Sequence, residues 1–229
     1  YIGSNPDNYI QFNNELWRII GIFDGQLKII RNESLGSMIW NSNNSNNWST
    51  ASLQTYLNND YYNNIDSNDQ NKIDDYTWKL GGLPIDIVYI DTTVKESYNL
   101  ERGTTVYNGN PTEWTGKIAL IYPSDYGLAT SGGSTTNRSS CISLMWREWY
   151  NKDCYNNSWI YSYLSENINL ATLTHIQNSA YDSIVVTFWG YLNTSGVTQS
   201  FDTFPTLYLT PEVELSTGTG TIDDPYILK

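Results

Sequence analysis

The sequence contains little of what most enzymes and nucleic-acid-binding proteins depend on. Its 229 residues include one histidine, two cysteines and 12 lysines and arginines, against 24 aspartates and glutamates. A formal net charge of −12 repels a phosphate backbone, so we expect no nucleic-acid partner. No apolar run approaches the roughly 18 to 20 residues that a membrane-spanning helix needs, so we expect no membrane insertion by this segment.

The scarcity of histidine and cysteine also argues against catalysis and metal binding. His175 lies in a predicted strand without a Gly-x-Ser-x-Gly nucleophile elbow, and one histidine with two cysteines offers too few ligands for a zinc site. The acidic stretch at residues 66–75 lacks the central glycine and closing glutamate of an EF-hand loop. We therefore expect no catalytic residue, no metal and no cofactor. A pair of carboxylates, as in a glycosidase, stays open as an alternative because acidic residues are numerous.

The two cysteines, Cys141 and Cys154, are separated by thirteen positions. This spacing matches neither a CxxC redox motif nor a zinc motif. We predict a disulfide between them, which places the chain in an oxidising compartment. Two separate buried thiols are the alternative.

Aromatic residues, by contrast, are abundant. They make up 14% of the chain, with nine tryptophans and 19 tyrosines, and asparagine is also frequent. This composition is typical of a β-rich extracellular domain, in which rings supply contact area and amides supply hydrogen bonds to a ligand. AT-rich codon usage, which favours Asn, Tyr and Ile regardless of function, explains the same composition without a binding role.

The N-terminal part predicts a β-meander. Three β-rich runs, at residues 9–12, 16–23 and 27–31, are separated by an Asn-Asn pair and an Asp-Gly pair. Both pairs tolerate the positive φ angles of tight hairpin turns. The near-continuous apolar character of the second run predicts a strand buried on both faces. Arg18 is its polar exception, and we expect it to meet a carboxylate or carbonyl groups at the end of a sheet.

Two helices are predicted to follow. Ser49 is a favourable N-cap for a helix over residues 50–58, in which Leu53 packs against Trp48 as a hydrophobic staple. Trp48 is then a structural anchor, while the polar loop before it is exposed. A second helix, over residues 67–80, is predicted from a Ser-x-x-Gln capping box at its start and a Gly-Gly pair at its end.

The remainder of the chain predicts a long excursion over residues 83–116 and then further strands. A short helix capped by Ser124 is expected after the first of these strands, and prolines on both sides of the last strand suit an edge or terminal position. The strands are predicted at residues 117–122, 170–176, 183–189 and 206–209. Together these elements predict one α+β domain over residues 1–229.

Several segments, spread over nearly the whole chain, occur in a characteristic order. They are LWRIIGIFDGQLKIIRNESLG, WSTASLxxYLN, DDYTWKLGG, ERGTTVY, WTGKIALIYPSDYGLAT, the loop between the two cysteines with SWIY, and FPTLYLTPEVELSTGTGTIDDPYIL. In this order they resemble a family of surface domains from gut and host-dwelling Firmicutes and related bacteria. The resemblance implies a position on the bacterial cell surface, often after a pilin-like membrane helix. The family has no assigned activity.

More distantly, the layout is similar to the C-type-lectin-like and sulfatase-modifying-factor group. That resemblance implies a mixed fold with antiparallel sheets, two to three short helices and long loops. Relatives carry Arg-Pro-x-Leu in the closing strand, where this chain has FPTL, so Phe204 replaces the usual arginine. The Asn-Pro-Thr and Trp-Asn-Ser tripeptides depart from the calcium-binding motifs of true C-type lectins, and the redox cysteines of the sulfatase-modifying enzymes are unmatched. No calcium-dependent sugar site is therefore implied.

We expect a non-catalytic extracellular binding or adhesion domain that recognises a glycan or a host or partner surface protein. A structural head or stalk module of a pilus-like assembly, which self-assembles through its parent protein, is the main alternative. A hydrolase acting on carbohydrate is the third. The candidate ligand-binding residues lie in three loops: Asn43 and Asn44 in the first, Tyr107, Asn110 and Trp114 in the excursion, and Tyr155 after the second cysteine.

Overall fold

The chain forms three β-sheets and five short α-helices within residues 1–85, 90–164 and 168–229, which are the residues that the computed structural model describes. The strands are β1 (Tyr9–Phe12), β2 (Glu15–Phe23), β3 (Gln26–Arg31), β4 (Ser37–Ile39), β5 (Tyr76–Lys79), β6 (Glu113–Gly116), β7 (Ile118–Ala119), β8 (Leu170–His175), β9 (Asp182–Val186), β10 (Leu192–Gly196), β11 (Ser200–Asp202), β12 (Thr206–Tyr208), β13 (Leu215–Thr217) and β14 (Tyr226–Leu228). The α-helices are α1 (Ser52–Tyr56), α2 (Ser67–Gln70), α3 (Val94–Glu101), α4 (Pro123–Leu128) and α5 (Arg138–Ser143).

The α+β prediction is confirmed. The largest sheet has the strand order β13-β14-β1-β2-β3-β12-β7, the second has the order β10-β9-β8-β11-β4, and β5 and β6 form a separate two-stranded sheet. Two pairs of these strands, β1 with β14 and β8 with β11, are parallel, and the other pairs are antiparallel. Among the described helices, none combines the length and the apolar character that a membrane span requires.

The N-terminal meander is confirmed, with its turns where the sequence places them. Asn13 and Asn14 have φ of 54° and 55°, and Asp24 and Gly25 have φ of 50° and 83°. Positive φ at both central residues gives the twist that a two-residue hairpin needs. These local signals fix the register of β1, β2 and β3.

Arg18, in the middle of β2, is buried and finds carbonyl groups rather than a carboxylate. Its Nε donates to Asn8 Oδ1 at 2.8 Å, and a terminal nitrogen donates to the Pro6 carbonyl at 3.2 Å. The guanidinium also lies over the rings of Tyr9 and Trp159, at 4.2 and 4.4 Å from their centroids. Hydrogen bonds and cation–π contacts thus compensate for the lost hydration of the charge.

The first predicted helix is confirmed in its packing and wrong in its cap. Trp48 and Leu53 are both buried, as the staple requires. Residues Trp48–Thr50, however, form a 3₁₀ turn whose cap is Asn47, and α1 begins only at Ser52 after Ala51, which offers no side-chain cap. Ser49 lies inside the turn and donates its own N–H and hydroxyl to Asn47 Oδ1.

The second predicted helix is wrong beyond its first turn. α2 is capped by Asp66 and ends at Gln70, and Tyr76–Lys79 is the strand β5. Trp78 of β5 pairs across the ladder with Trp114 of β6, and its indole N–H donates to the Gly116 carbonyl at 3.0 Å. This partner strand lies more than thirty residues away, and its pairing overrides the helical pattern.

Four further expectations are corrected. The excursion contains a helix, α3, with a capping box between Thr93 and Glu96. α4 is not capped by Ser124, because Asp125 accepts the Tyr122 N–H in its first turn. The strand predicted at residues 117–122 is limited to β7, and β12 lies between β3 and β7 rather than at an edge.

Candidate functional site

Tryptophan burial points to one region of the surface. Seven of the nine tryptophans are at most 1% exposed, and Trp114 is half-buried. Trp189 is the exception, because 47% of it is exposed. A large apolar ring that remains exposed while the others are buried is typical of a ligand contact rather than of the core.

Trp189 belongs to a group of rings that we name the aromatic platform. Tyr150, which is 44% exposed, lies edge-on to Trp189, with ring centroids 5.8 Å apart and planes at 87°. Tyr150 also stacks on Tyr155 at 5.8 Å with planes 5° apart, and Tyr155 meets Tyr161 edge-on at 4.7 Å. Tyr150, Trp189 and Tyr191 line a surface cleft of about 310 Å³.

One side of the platform is held by the disulfide-closed segment. The disulfide between Cys141 and Cys154 is present, as the sequence predicts, and both cysteines are buried. Between them, Trp149 donates its indole N–H to the Cys141 carbonyl at 3.1 Å and stands directly before Tyr150. The bridge therefore fixes the chain immediately around Tyr150 and immediately before Tyr155.

The other side of the platform is the hairpin loop between β9 and β10. The backbone N–H of Gly190 donates to the Thr187 carbonyl at 2.8 Å and closes the loop. Two tyrosine hydroxyls anchor the backbone of the loop. Tyr161 donates to the Phe188 carbonyl at 3.0 Å, and Tyr126 donates to the Gly190 carbonyl at 2.8 Å. These contacts hold Trp189 at the hairpin tip, so its ring is presented by an anchored loop.

Gly190 is required at this position for two reasons. Its φ is +79°, and a Cβ there would lie 2.4 Å from the Cβ of Tyr155. Any other residue would be strained and would push apart the two sides of the platform. Burial raises the pKa of Tyr155 and of Tyr161 above the ordinary value of 10, at which a phenol is already neutral at neutral pH.

Of the residues proposed from the sequence, Tyr155 lies in the aromatic platform, and the other five lie elsewhere. Asn110 Nδ2 donates to Asn46 Oδ1 at 2.8 Å, and its backbone N–H donates to the Tyr107 carbonyl at 3.0 Å. Trp114 contacts the buried Trp48 edge-on, with ring centroids 6.1 Å apart. These contacts attach the excursion to the loop before Trp48.

Asn43 and Asn44 are exposed at the tip of that loop, and Asn44 has a φ of 50°. The loop is less exposed than its composition predicts, because Asn41 and Asn46 are completely buried. Asn46 Nδ2 donates to the carbonyls of Ile176, Ser179 and Asp182, a set of contacts that connects segments distant in sequence. Two of the seven residues in the polar run are therefore structural.

Sequence reasoning missed Tyr150, Trp189 and Tyr191. A usable signal was present in the stretch FWGY at residues 188–191, which places a glycine among aromatic rings between two strands. Such a stretch fits a hairpin tip, whereas the apolar run before it predicts a strand over residues 183–189; β9 ends at Val186. Tertiary packing decides which of the nine tryptophans stays exposed.

A second group of side chains is buried and charged. Lys28 Nζ lies 2.5 Å from Asp125 Oδ2, with side-chain exposures of 0% and 1%. Glu101 is fully buried nearby, where burial raises its pKa to about 8. These side chains are almost completely excluded from bulk solvent, and their polar partners are other groups of the chain.

His175 is 2% exposed at the end of β8, where burial lowers its pKa to about 4. Within the described ranges, no group of three or more His, Cys, Asp or Glu side chains is placed to hold a metal ion.

Comparisons of the chain with protein-family models, with curated proteins and with solved structures find no match.

Proposed function

We propose that this chain is a non-catalytic, extracellular carbohydrate-binding domain that recognises a neutral glycan through the aromatic platform. The observation that carries the proposal is the exposure of Trp189 beside Tyr150, on a support of anchored rings. The face of an aromatic ring carries partial negative charge, and the C–H groups on the apolar face of a sugar ring are complementary to it. An anchored ring also loses little conformational entropy on binding.

The size of the platform favours a glycan over a protein ligand. A standard protein interface buries roughly 800 Å² on each partner, which requires some 20 residues or more. The cleft of about 310 Å³ is lined by three rings, which suits a ligand of a few ring-sized units. Exposed Asn151 and Asn156, beside the two tyrosines in sequence, offer amide groups for sugar hydroxyls.

Charge narrows the class of glycan. The formal net charge of −12 repels sulfated and carboxylated polymers at long range, whereas a neutral glycan is unaffected. The disulfide supports an oxidising, extracellular location, and the resemblance described above supports a bacterial cell surface. The ligand would then be a neutral host or cell-wall glycan.

The test is a glycan array with the oxidised chain, with and without calcium, followed by calorimetric titration of each bound glycan. We expect Trp189→Ala and Tyr150→Ala to weaken binding at least tenfold, which is about 1.4 kcal/mol. Tyr181→Ala is the matched control: Tyr181 is 56% exposed but lies before β9, at the end opposite the hairpin tip, and its substitution leaves affinity unchanged.

Two outcomes would overturn the proposal. Binding that survives both platform substitutions would place the glycan site elsewhere. A folded chain that binds no glycan on the array would leave a protein ligand or a structural module as the better account. Acrylamide quenching of tryptophan fluorescence adds a direct readout, because Trp189 is the exposed tryptophan and a ligand seated on it reduces quenching.

A further inference from the structure

Lys28 and Asp125 form an unusually close and dry pair. Lys28 is on β3 and Asp125 is in the first turn of α4, 97 positions later in the chain. Their Nζ and Oδ2 atoms are 2.5 Å apart, and the two side chains are 0% and 1% exposed. Removing two charges from water carries a large free-energy cost for each ion, which their attraction offsets only in favourable geometry.

The surroundings of Lys28 are aromatic. Its Nζ lies 4.5 to 5.5 Å from four ring centroids, which belong to Phe23, Trp78, Tyr122 and Tyr208. The rings exclude water, and burial lowers the pKa of Lys28 accordingly. A neutral amine, which is the nucleophilic form of lysine, is therefore more accessible here than at the surface.

The two oxygens of Asp125 are not equivalent. Oδ2 accepts from Lys28 Nζ and also from the backbone N–H of Tyr122 at 2.8 Å. Oδ1 is buried and has no hydrogen-bond partner among the residues that the structure describes. An unpartnered buried carboxylate oxygen is costly, so its presence needs an explanation.

A second carboxyl group lies beside the pair. Glu101, at the end of α3, accepts the Ser124 N–H at 3.0 Å and also the Ser124 hydroxyl, and Ser124 directly precedes Asp125. Burial, with a smaller contribution from the charge of Asp125, raises the pKa of Glu101 to about 8. A buried carboxyl group that holds its proton at neutral pH is suited to donating that proton and taking it back.

We propose that Lys28 and Asp125 condense to an intramolecular isopeptide bond. A proton passes from the lysine ammonium to the Asp125 carboxylate, and the neutral Nζ then attacks Cγ. Oδ1 takes one proton from Nζ and one from Glu101 and leaves as water. Oδ2 passes the proton it received to Glu101 and remains as the amide carbonyl that accepts the Tyr122 N–H. One C–N bond forms, one C–O bond breaks, and nothing is oxidised or reduced.

The environment favours this condensation. Asp125 lines a cavity of about 220 Å³, which can receive the departing water. The product replaces two buried charges and one unpartnered oxygen with a single neutral amide. The bond ties β3 in the large sheet to α4 and encloses the chain between them, independently of whether the aromatic platform binds a glycan.

The test is the intact mass of the purified wild-type chain, denatured and with its disulfide reduced. We expect a mass about 18 Da below that of the sequence, because one water is lost. Proteolysis is expected to release a branched peptide that joins the segments carrying Lys28 and Asp125. The full sequence mass in a chain that is folded by circular dichroism would overturn the proposal, and no variant is needed for that decision.

Variants separate the roles of the groups. Lys28→Met and Asp125→Ala are expected to show their full masses, and a loss of water in either would place the bond elsewhere. Asp125→Asn has the same shape and can lose ammonia instead, so its product would have the mass of the condensed wild-type chain. Glu101→Gln, which keeps the acceptor for Ser124 N–H, is expected to retain uncondensed chain, and complete condensation would exclude Glu101 as the proton carrier.

Discussion

Acid is expected to destabilise this protein through His175. The side chain is 2% exposed, and its Nε2 has no hydrogen-bond partner among the described residues. Burial lowers its pKa from 6.5 to about 4, because a charged imidazolium would lose its hydration without gaining a partner. In the unfolded chain the same side chain titrates at its ordinary value.

The sign follows from which state binds the proton. Above about pH 6.5 the imidazole is neutral in both states, and its contribution to stability is fully present. As the pH falls from 6.5 towards 4, His175 is protonated in the unfolded chain but stays neutral in the folded chain, so the free energy of unfolding decreases. Each pKa unit corresponds to about 1.4 kcal/mol, which gives a loss of about 3 kcal/mol between pH 7 and pH 4.

The measurement is urea unfolding of the wild type and of His175→Gln from pH 7 to pH 4. Gln keeps a polar side chain of similar reach but does not titrate. Other groups titrate in both proteins, so the difference between the two curves isolates the histidine. We expect the wild type to lose about 3 kcal/mol more than the variant over this range. Parallel curves would show that His175 is not buried as a neutral group.

Much of the β-structure could be predicted because its signals are local. The hairpin turns around β1, β2 and β3 depend on residues that accept positive φ, and these stand in the sequence at the turns themselves. The strands β8, β9 and β12 were found from their apolar and β-branched runs. A disulfide between the two cysteines could be predicted from their number and spacing, and the structure decides against the alternative of two separate thiols.

The largest error in the fold concerns a feature that a distant partner decides. Residues 76–79 carry a helical pattern, but Trp78 pairs with Trp114 in a two-stranded antiparallel sheet. No local sequence signal predicts this pairing. α3 was missed within the excursion although Thr93 and Glu96 form a complete capping box. In that case the signal was local, and the turn residues further along the excursion concealed it.

Only one residue of the candidate site could be predicted, because the fold brings the other members together from distant parts of the chain. Tyr155 was proposed because it follows the disulfide, and the structure places it in the aromatic platform. Tyr150 and Trp189 are brought together from the disulfide-closed segment and from a hairpin tip, 39 positions apart. Lys28 and Asp125 are 97 positions apart, and no sequence motif marks either of them before the fold makes them neighbours.

Two further predictions concern the support of the platform and the role of Trp114. Replacing Cys141 and Cys154 together by alanine opens a 13-residue loop, which we expect to cost about 3 kcal/mol and to lower Tm by about 6–12 °C. Glycan affinity is expected to fall in the same variant, and a thermal scan beside a titration checks both; an unchanged Tm would show that packing alone orders the segment. Trp114→Ala is expected to cost about 2 kcal/mol, because a half-buried ring leaves its contact with Trp48 and uncovers Gly116, while glycan affinity stays at the wild-type value. Urea unfolding measures the first quantity and calorimetry the second. If Trp114→Ala instead lost glycan binding while its free energy of unfolding stayed unchanged, Trp114 would be a ligand contact and the site would lie in the excursion. A ring that only attaches a strand to the core lowers the free energy of unfolding when it is removed.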